Sequence, residues 1–157
     1  MAVVDHGKPA VTHFTPVAFG ELLEVPVTLM VCRLETGRTH QIRVHAQHAG
    51  FALVADPVYK IKGAGSHSAL RLSSIELPNG EKFERQALHA THLSFPDPAY
   101  FHVQGDDEAA EDWDESLGNH EWPEYVAKAP EDLRLLGEMA GIDFHSDEVE
   151  GAVLDEA

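Results

Sequence analysis

From Leu23 to Cys32 two kinds of residue alternate: Leu23, Val25, Val27, Leu29 and Val31 on one parity, and Glu24, Pro26, Thr28, Met30 and Cys32 on the other. A period of two places successive side chains on opposite faces of an extended chain, so the run reads as a β-strand. The stretch VTHFTPVAF from Val11 has the composition of a second strand, and Gly20 lies between the two. An antiparallel hairpin turning around Gly20 is expected. Pro26 has no N–H for a ladder, which assigns it to an edge or a bulge.

The period then changes. In ETGRTHQIRVHAQHAGF, Ile42, Ala46 and Ala49 fall at helical spacing, and Gly50 is placed to end the helix in a left-handed conformation. A helix over Thr39–Ala49 is expected, capped by Thr36 or Thr39. The segment KIKGAGSHS from Lys60 reads as a mobile loop. LRLSSIEL and EKFERQAL flank Pro78-Asn79-Gly80, and the Asn-Gly pair signals a second hairpin. Leu133, Leu136 and Met139 are spaced for a short amphipathic helix near 130–140. The fold class that follows is α+β: a mixed, largely antiparallel sheet with a short helix after the GRTHQIR turn.

The charge of −16 argues against a polyanionic partner until it is divided along the chain. Residues 1–95 hold nine Lys/Arg against eight Asp/Glu, whereas residues 96–157 hold two against nineteen, a balance of +1 and −17. The acidity therefore belongs to the C-terminal part, which reads as a solvated extension with Trp113 and Trp122 as packing anchors. Cys32 is the single cysteine and has no internal disulfide partner. No run of eighteen apolar residues and no basic-then-apolar leader occurs, so neither a membrane span nor export is expected, and cytoplasm is the simplest location.

The string LETGRTHQIRVHAQHAG, followed by DPVY, resembles the motif of the RluA-type RNA pseudouridine synthases. RQALHATHLSFPDP is similar to that family's later RQ-x-LHA-x-x-L-x-F-x-x-P signature, and GKPAVTHF to the segment entering its central strands. The resemblance covers roughly residues 7–98, in the family's order. It implies an α+β domain that binds structured RNA, flips a uridine into a cleft and rebuilds its glycosidic bond from N1 to C5, in ribosomal or transfer RNA. It implies no cofactor and no metal. An aspartate attacks the nucleotide and an arginine keeps it ionised, a role the motif assigns to Arg43. Arg38 is assigned to phosphate contact or support of the cleft wall, His40 and Gln41 to phosphate or base edges, and Leu88 and His89 to the cleft that holds the flipped base.

The family's HRLD-x-x-T-S-G motif, which carries the aspartate, has no counterpart in these 157 residues. Asp5 lacks its flanking residues, and Asp56 belongs to the DPVY block. The expectation is that residues 1–100 are the C-terminal part of a catalytic domain, a partial pseudouridine synthase fold that is inactive alone. A missing N-terminal half would supply the aspartate, and residues 101–157 form an acidic extension. Half a domain should expose a sheet edge and apolar faces and associate in isolation. A non-catalytic RNA-binding module and an acidic interaction protein are the alternatives. His45-x-x-His48 and His89-x-x-His92 offer four imidazoles, but both pairs lie inside the blocks of the resemblance.

Overall fold

The computed structural model describes residues 1–60, 72–95 and 123–155. The expected loop after Lys60, with Lys62 and His67, lies largely outside them, as do Trp113 and Trp122. The chain divides into two compact units: Met1–His89 with Ala129–Ala157, and Ala90–Lys128.

In the first unit, β1 (Thr12–Leu22) and β2 (Val25–Leu34) pair antiparallel. Their turn is not at Gly20. The register runs to Leu22 opposite Val25, leaving Leu23 and Glu24 as a two-residue loop with φ of 52° and 62°. Two successive left-handed residues define the turn whose twist matches a hairpin, although side chains there carry a steric cost. Gly20 instead sits inside β1 opposite Val27, where a Cβ would come within 2.1 Å of the Ala140 carbonyl oxygen. The glycine is needed for that close approach, beside which the Glu21 N–H donates to the same carbonyl at 3.0 Å. The register shifts between Pro16 and Ala18, a bulge that directs Val17 inward. Pro26 lies in regular register opposite Glu21.

Helix α1 spans Gln41–His48, and its end follows the expected chemistry. Gly50 has φ of 97°, its N–H donates to the Gln47 carbonyl, and the Phe51 N–H donates to Ala46, the two bonds of a Schellman motif. Its beginning does not. No threonine caps it; the capping position is His40, left-handed at φ 57°, and its side chain makes no capping bond. The expected apolar positions are buried only in part: α1 buries Ala46 together with Gln41, Arg43 and Val44, while Ile42 is half-buried and Ala49 exposed.

β3 (Ile75–Glu76) and β4 (Lys82–Phe83) pair antiparallel across Pro78-Asn79-Gly80. Gly80, at φ 83°, donates to Leu77, whose N–H donates to Glu81, a three-residue hairpin with a bulge. Helix α2 (Glu131–Met139) begins after Pro130 with Glu131 and Asp132 in its first turn, where carboxylates complement the helix dipole. A short turn at Gly141 leads to α3 (Asp147–Asp155). Leu22, Ala55, Ile75, Leu77, Phe83, Leu136, Ala140 and Ile142 form the core of this unit, so both hairpins and α2 share one apolar cluster. In the second unit β5 (His92–Ser94) pairs antiparallel with β6 (Glu124–Val126), and Phe95 stacks on Tyr125 with centroids 5.4 Å apart. The architecture is an α+β mix of small antiparallel sheets and short helices. Among the described residues no helix is long and apolar enough to cross a membrane.

Candidate functional site

The left-handed step at His40 turns the chain abruptly out of β2 into α1, and Gln41 holds that corner. Its amide donates to the Val11 carbonyl at 2.8 Å and to Thr12 Oγ1 at 2.9 Å. Its oxygen accepts from Thr36 Oγ1 at 2.7 Å and from the Arg38 N–H at 3.1 Å. With both donors and both lone pairs engaged, buried Gln41 supports the corner and has nothing left for a ligand. Thr36, one of the two expected caps, serves Gln41 instead.

Two residues further along α1, Arg43 meets Asp56. Nε donates to Oδ2 and Nη2 to Oδ1, each at 2.7 Å, in the paired fork that a guanidinium and a carboxylate form. The side chains are 9% and 0% exposed. Asp56 Oδ1 also accepts the N–H groups of Val58 at 2.8 Å and Tyr59 at 2.9 Å, the local bonds that an aspartate before proline favours. Ala55, left-handed at φ 55°, makes the preceding bend. Burial raises the pKa of the Asp56 carboxyl, but the Arg43 bonds and the two amides outweigh it and hold the group below its ordinary range. Hydrogen bonding to Asp56 likewise raises Arg43.

Tyr59 completes the cluster. The Arg43 guanidinium lies 5.0 Å from its ring centroid, a cation–π contact, and the phenol oxygen is 3.1 Å from His40 Nδ1. The pair Asp56–Arg43 leaves Nη1 as the guanidinium nitrogen without a hydrogen bond among the described residues.

An open groove of about 320 Å³ runs beside this cluster, lined by Leu34, Arg38, His40, Gln41, Ile42, Arg43, Gln86 and Leu88. Five residues singled out from the sequence thus meet in one place: Arg38, His40, Gln41 and Arg43 around the start of α1, and Leu88 from a segment more than forty residues later. Arg38 is exposed at the mouth, its Nε 3.5 Å from the Pro9 carbonyl. His89 is half-buried and is not among the lining residues. Asp56, Tyr59 and Gln86 carried no role in the sequence reading. The Asp-Pro step was the available signal for Asp56, whereas a contact between Arg43 and a residue thirteen positions on has no sequence signature. No group of three or more His, Cys, Asp or Glu converges among the described residues. Burial pushes the Cys32 thiol up to about 11, far from the reactive thiolate range.

An α+β chain in which a buried, carboxylate-paired arginine lines an open groove together with exposed Arg38 and His40 and with Leu34, Ile42 and Leu88 offers cationic and apolar groups side by side. The family model described as RNA pseudouridylate synthase matches residues 1–48. Ribosomal large subunit pseudouridine synthase D of Zymomonas mobilis is 44% identical over 144 residues, 88% of this chain and 35% of that protein. The protein of the same name from Escherichia coli K12 is 39% identical over 152 residues, 96% and 39% of the two lengths. An uncharacterized RNA pseudouridine synthase of Chloroflexus aurantiacus is 35% identical over 137 residues, 87% of this chain and 31% of that protein. Over 87–96% of its length the chain is thus similar to RNA pseudouridine synthases. It spans 31–39% of the length of these relatives, 35% and 39% of the first two.

Proposed function

We propose that the chain forms the arginine-bearing side of the substrate cleft in a synthase that isomerises uridine to pseudouridine in ribosomal RNA. The carrying observation is the groove that unites Arg38, His40, Gln41, Arg43 and Leu88. The names of the relatives favour ribosomal over transfer RNA, and an RNA substrate of that kind favours the cytoplasm. Under this reading the Nη1 edge of Arg43, which Asp56 does not take, meets the carboxylate of a catalytic aspartate that lies outside this sequence. Arg38 and exposed His40 take phosphate at the mouth, Leu88 packs on the flipped ring, and His89 supports the cleft from behind.

The test is RNA binding by the purified chain, with a labelled ribosomal stem-loop, between 50 and 200 mM salt. Salt-dependent binding is expected, and Arg38→Ala should reduce the slope of log affinity against log salt by about one. Absence of binding at the lowest salt would sink the reading. A non-catalytic RNA-binding module is the second reading, favoured by Asp56 already occupying two nitrogens of Arg43. Pseudouridine formation when a polypeptide carrying an HRLD motif is added separates the two, and loss of that activity in Arg43→Lys ties it to this site.

A further inference from the structure

One wall of the groove is a segment that neither helix nor strand holds in place, Gln86–Leu88. It is a tight turn in which the Leu88 N–H donates to the Gln86 carbonyl at 2.8 Å, while the Ala87 N–H donates to Val54 at 2.9 Å. Arg85 closes this turn from behind. Its Nη1 reaches the Gln86 carbonyl at 3.3 Å and the Leu88 carbonyl at 3.2 Å, so one nitrogen spans both ends. The other edge of the guanidinium is taken by Asp132 of α2, Nε to Oδ2 at 2.8 Å and Nη2 to Oδ1 at 2.9 Å. Its face lies 5.1 Å from the ring centroid of Phe83, a core residue. The guanidinium is therefore oriented on its edges and its face, and the two carbonyls it holds belong to the residues whose side chains line the groove.

We infer that Asp132 and Arg85 are positioning residues for the ligand-facing wall: the carboxylate on α2 orients Arg85, which clamps the turn that presents Gln86 and Leu88. This rests on the reading of the groove as an RNA cleft. It gives α2 a role in binding although it supplies no lining residue. Hydrogen bonding from Arg85 holds the Asp132 carboxyl below its ordinary range, so the clamp stays charged at neutral pH.

The sign of one substitution separates clamp from charge. Asp132→Asn removes a negative charge, and electrostatics alone would tighten binding to a polyanion. A loosened wall weakens it. The full chain and its Asp132→Asn, Arg85→Lys and swapped Arg85→Asp/Asp132→Arg variants are compared at 25 °C by amide hydrogen exchange and by affinity for the ribosomal stem-loop. Asp132→Asn and Arg85→Lys should speed exchange at Ala87 and Leu88 about tenfold and weaken RNA binding about five- to tenfold, with β1–β2 exchange unchanged. The swap restores an ion pair but sets a carboxylate against two carbonyls, so thermal stability should return while wall order and affinity do not. Unchanged exchange at Ala87 and Leu88 in both single variants, or recovery of wall order by the swap, overturns the inference. Should the unaltered chain bind no RNA, the cleft reading fails, and the exchange data still decide whether the clamp exists.

Discussion

Replacing Asp56 by asparagine changes one atom and should be among the most damaging single substitutions in the chain. Asparagine keeps an oxygen for the Val58 and Tyr59 amides, but its NH2 then stands where Oδ2 accepts from Arg43 Nε, a donor against a donor. Turning the amide over restores that contact and breaks the three made to Oδ1, from Val58, Tyr59 and Arg43 Nη2. Either way a guanidinium only 9% exposed loses its counter-charge. Breaking a buried pair by removing one partner costs about 3–5 kcal/mol, which for a unit of this size lowers the melting temperature by roughly 10–20 °C. Thermal unfolding followed by circular dichroism measures it. The double variant Arg43→Met/Asp56→Leu should recover most of the loss, because well-packed apolar replacements remove the buried charge as well. A loss under about 1 kcal/mol in Asp56→Asn, the scale of an exposed ion pair, would refute the claim that this pair is buried and exclusive.

The same group predicts a pH dependence. Asp56 is lowered from its ordinary value of 3.8 on folding, so its contribution is complete above about pH 4 and disappears as pH falls through the folded value. Stability of the unaltered chain should fall in that acidic window with a component that Asp56→Asn lacks.

Three further outcomes can be checked. Gly20→Ala places a methyl 2.1 Å from the Ala140 carbonyl oxygen and should destabilise by about 3 kcal/mol in urea titration, the upper end of overpacking costs. Leu23→Asn/Glu24→Gly supplies the residues that two left-handed turn positions favour and should stabilise by about 1 kcal/mol in the same titration. Phe19 is 76% exposed on β1, and sedimentation velocity should show self-association of the chain that Phe19→Glu reduces.

What could be read from sequence and what could not divides along a physical line. Strand periodicity, the Asn-Gly turn and the Gly50 terminator are local, and each appears where its residues place it. The turn of the first hairpin was misplaced because Gly20 carries the usual turn chemistry, while Leu23 and Glu24 do not. Its glycine answers to Ala140, 120 residues away, and no local rule reports that. Helix α1 misled for a related reason. Its apolar spacing named Ile42, Ala46 and Ala49, of which Ala46 is buried, but the helix also turns Gln41 and Arg43 inward because partners from β1 and the Asp56 bend satisfy them. Of the site, the residues of the motif were found and their partners were not: Asp56, Tyr59 and Asp132 act through pairings 13, 16 or 19, and 47 residues apart, which only the fold creates.

Those partners alter the part that Arg43 plays under the proposed function. A second carboxylate about 4 Å from the guanidinium would gain about 4 kcal/mol at an effective dielectric of ~20, but at about 7 Å from Asp56 it would lose about 2.4 kcal/mol of this. What remains lowers its pKa by little more than about one unit, against about three for an unpaired arginine. An ordinary aspartate, near 3.9, is already ionised at neutral pH, so a deeper shift would add little charge. Orientation is what a nucleophile cannot obtain from solvent, and misplacement by about 1 Å is enough to cost about a hundredfold in rate. Asp56 fixes Nε and Nη2, Tyr59 fixes the face, and Arg43 lines the groove with its guanidinium so held. Arg43 then acts less as a reservoir of positive charge than as a rigid donor, and Asp56, by weakening its field, is what makes it rigid.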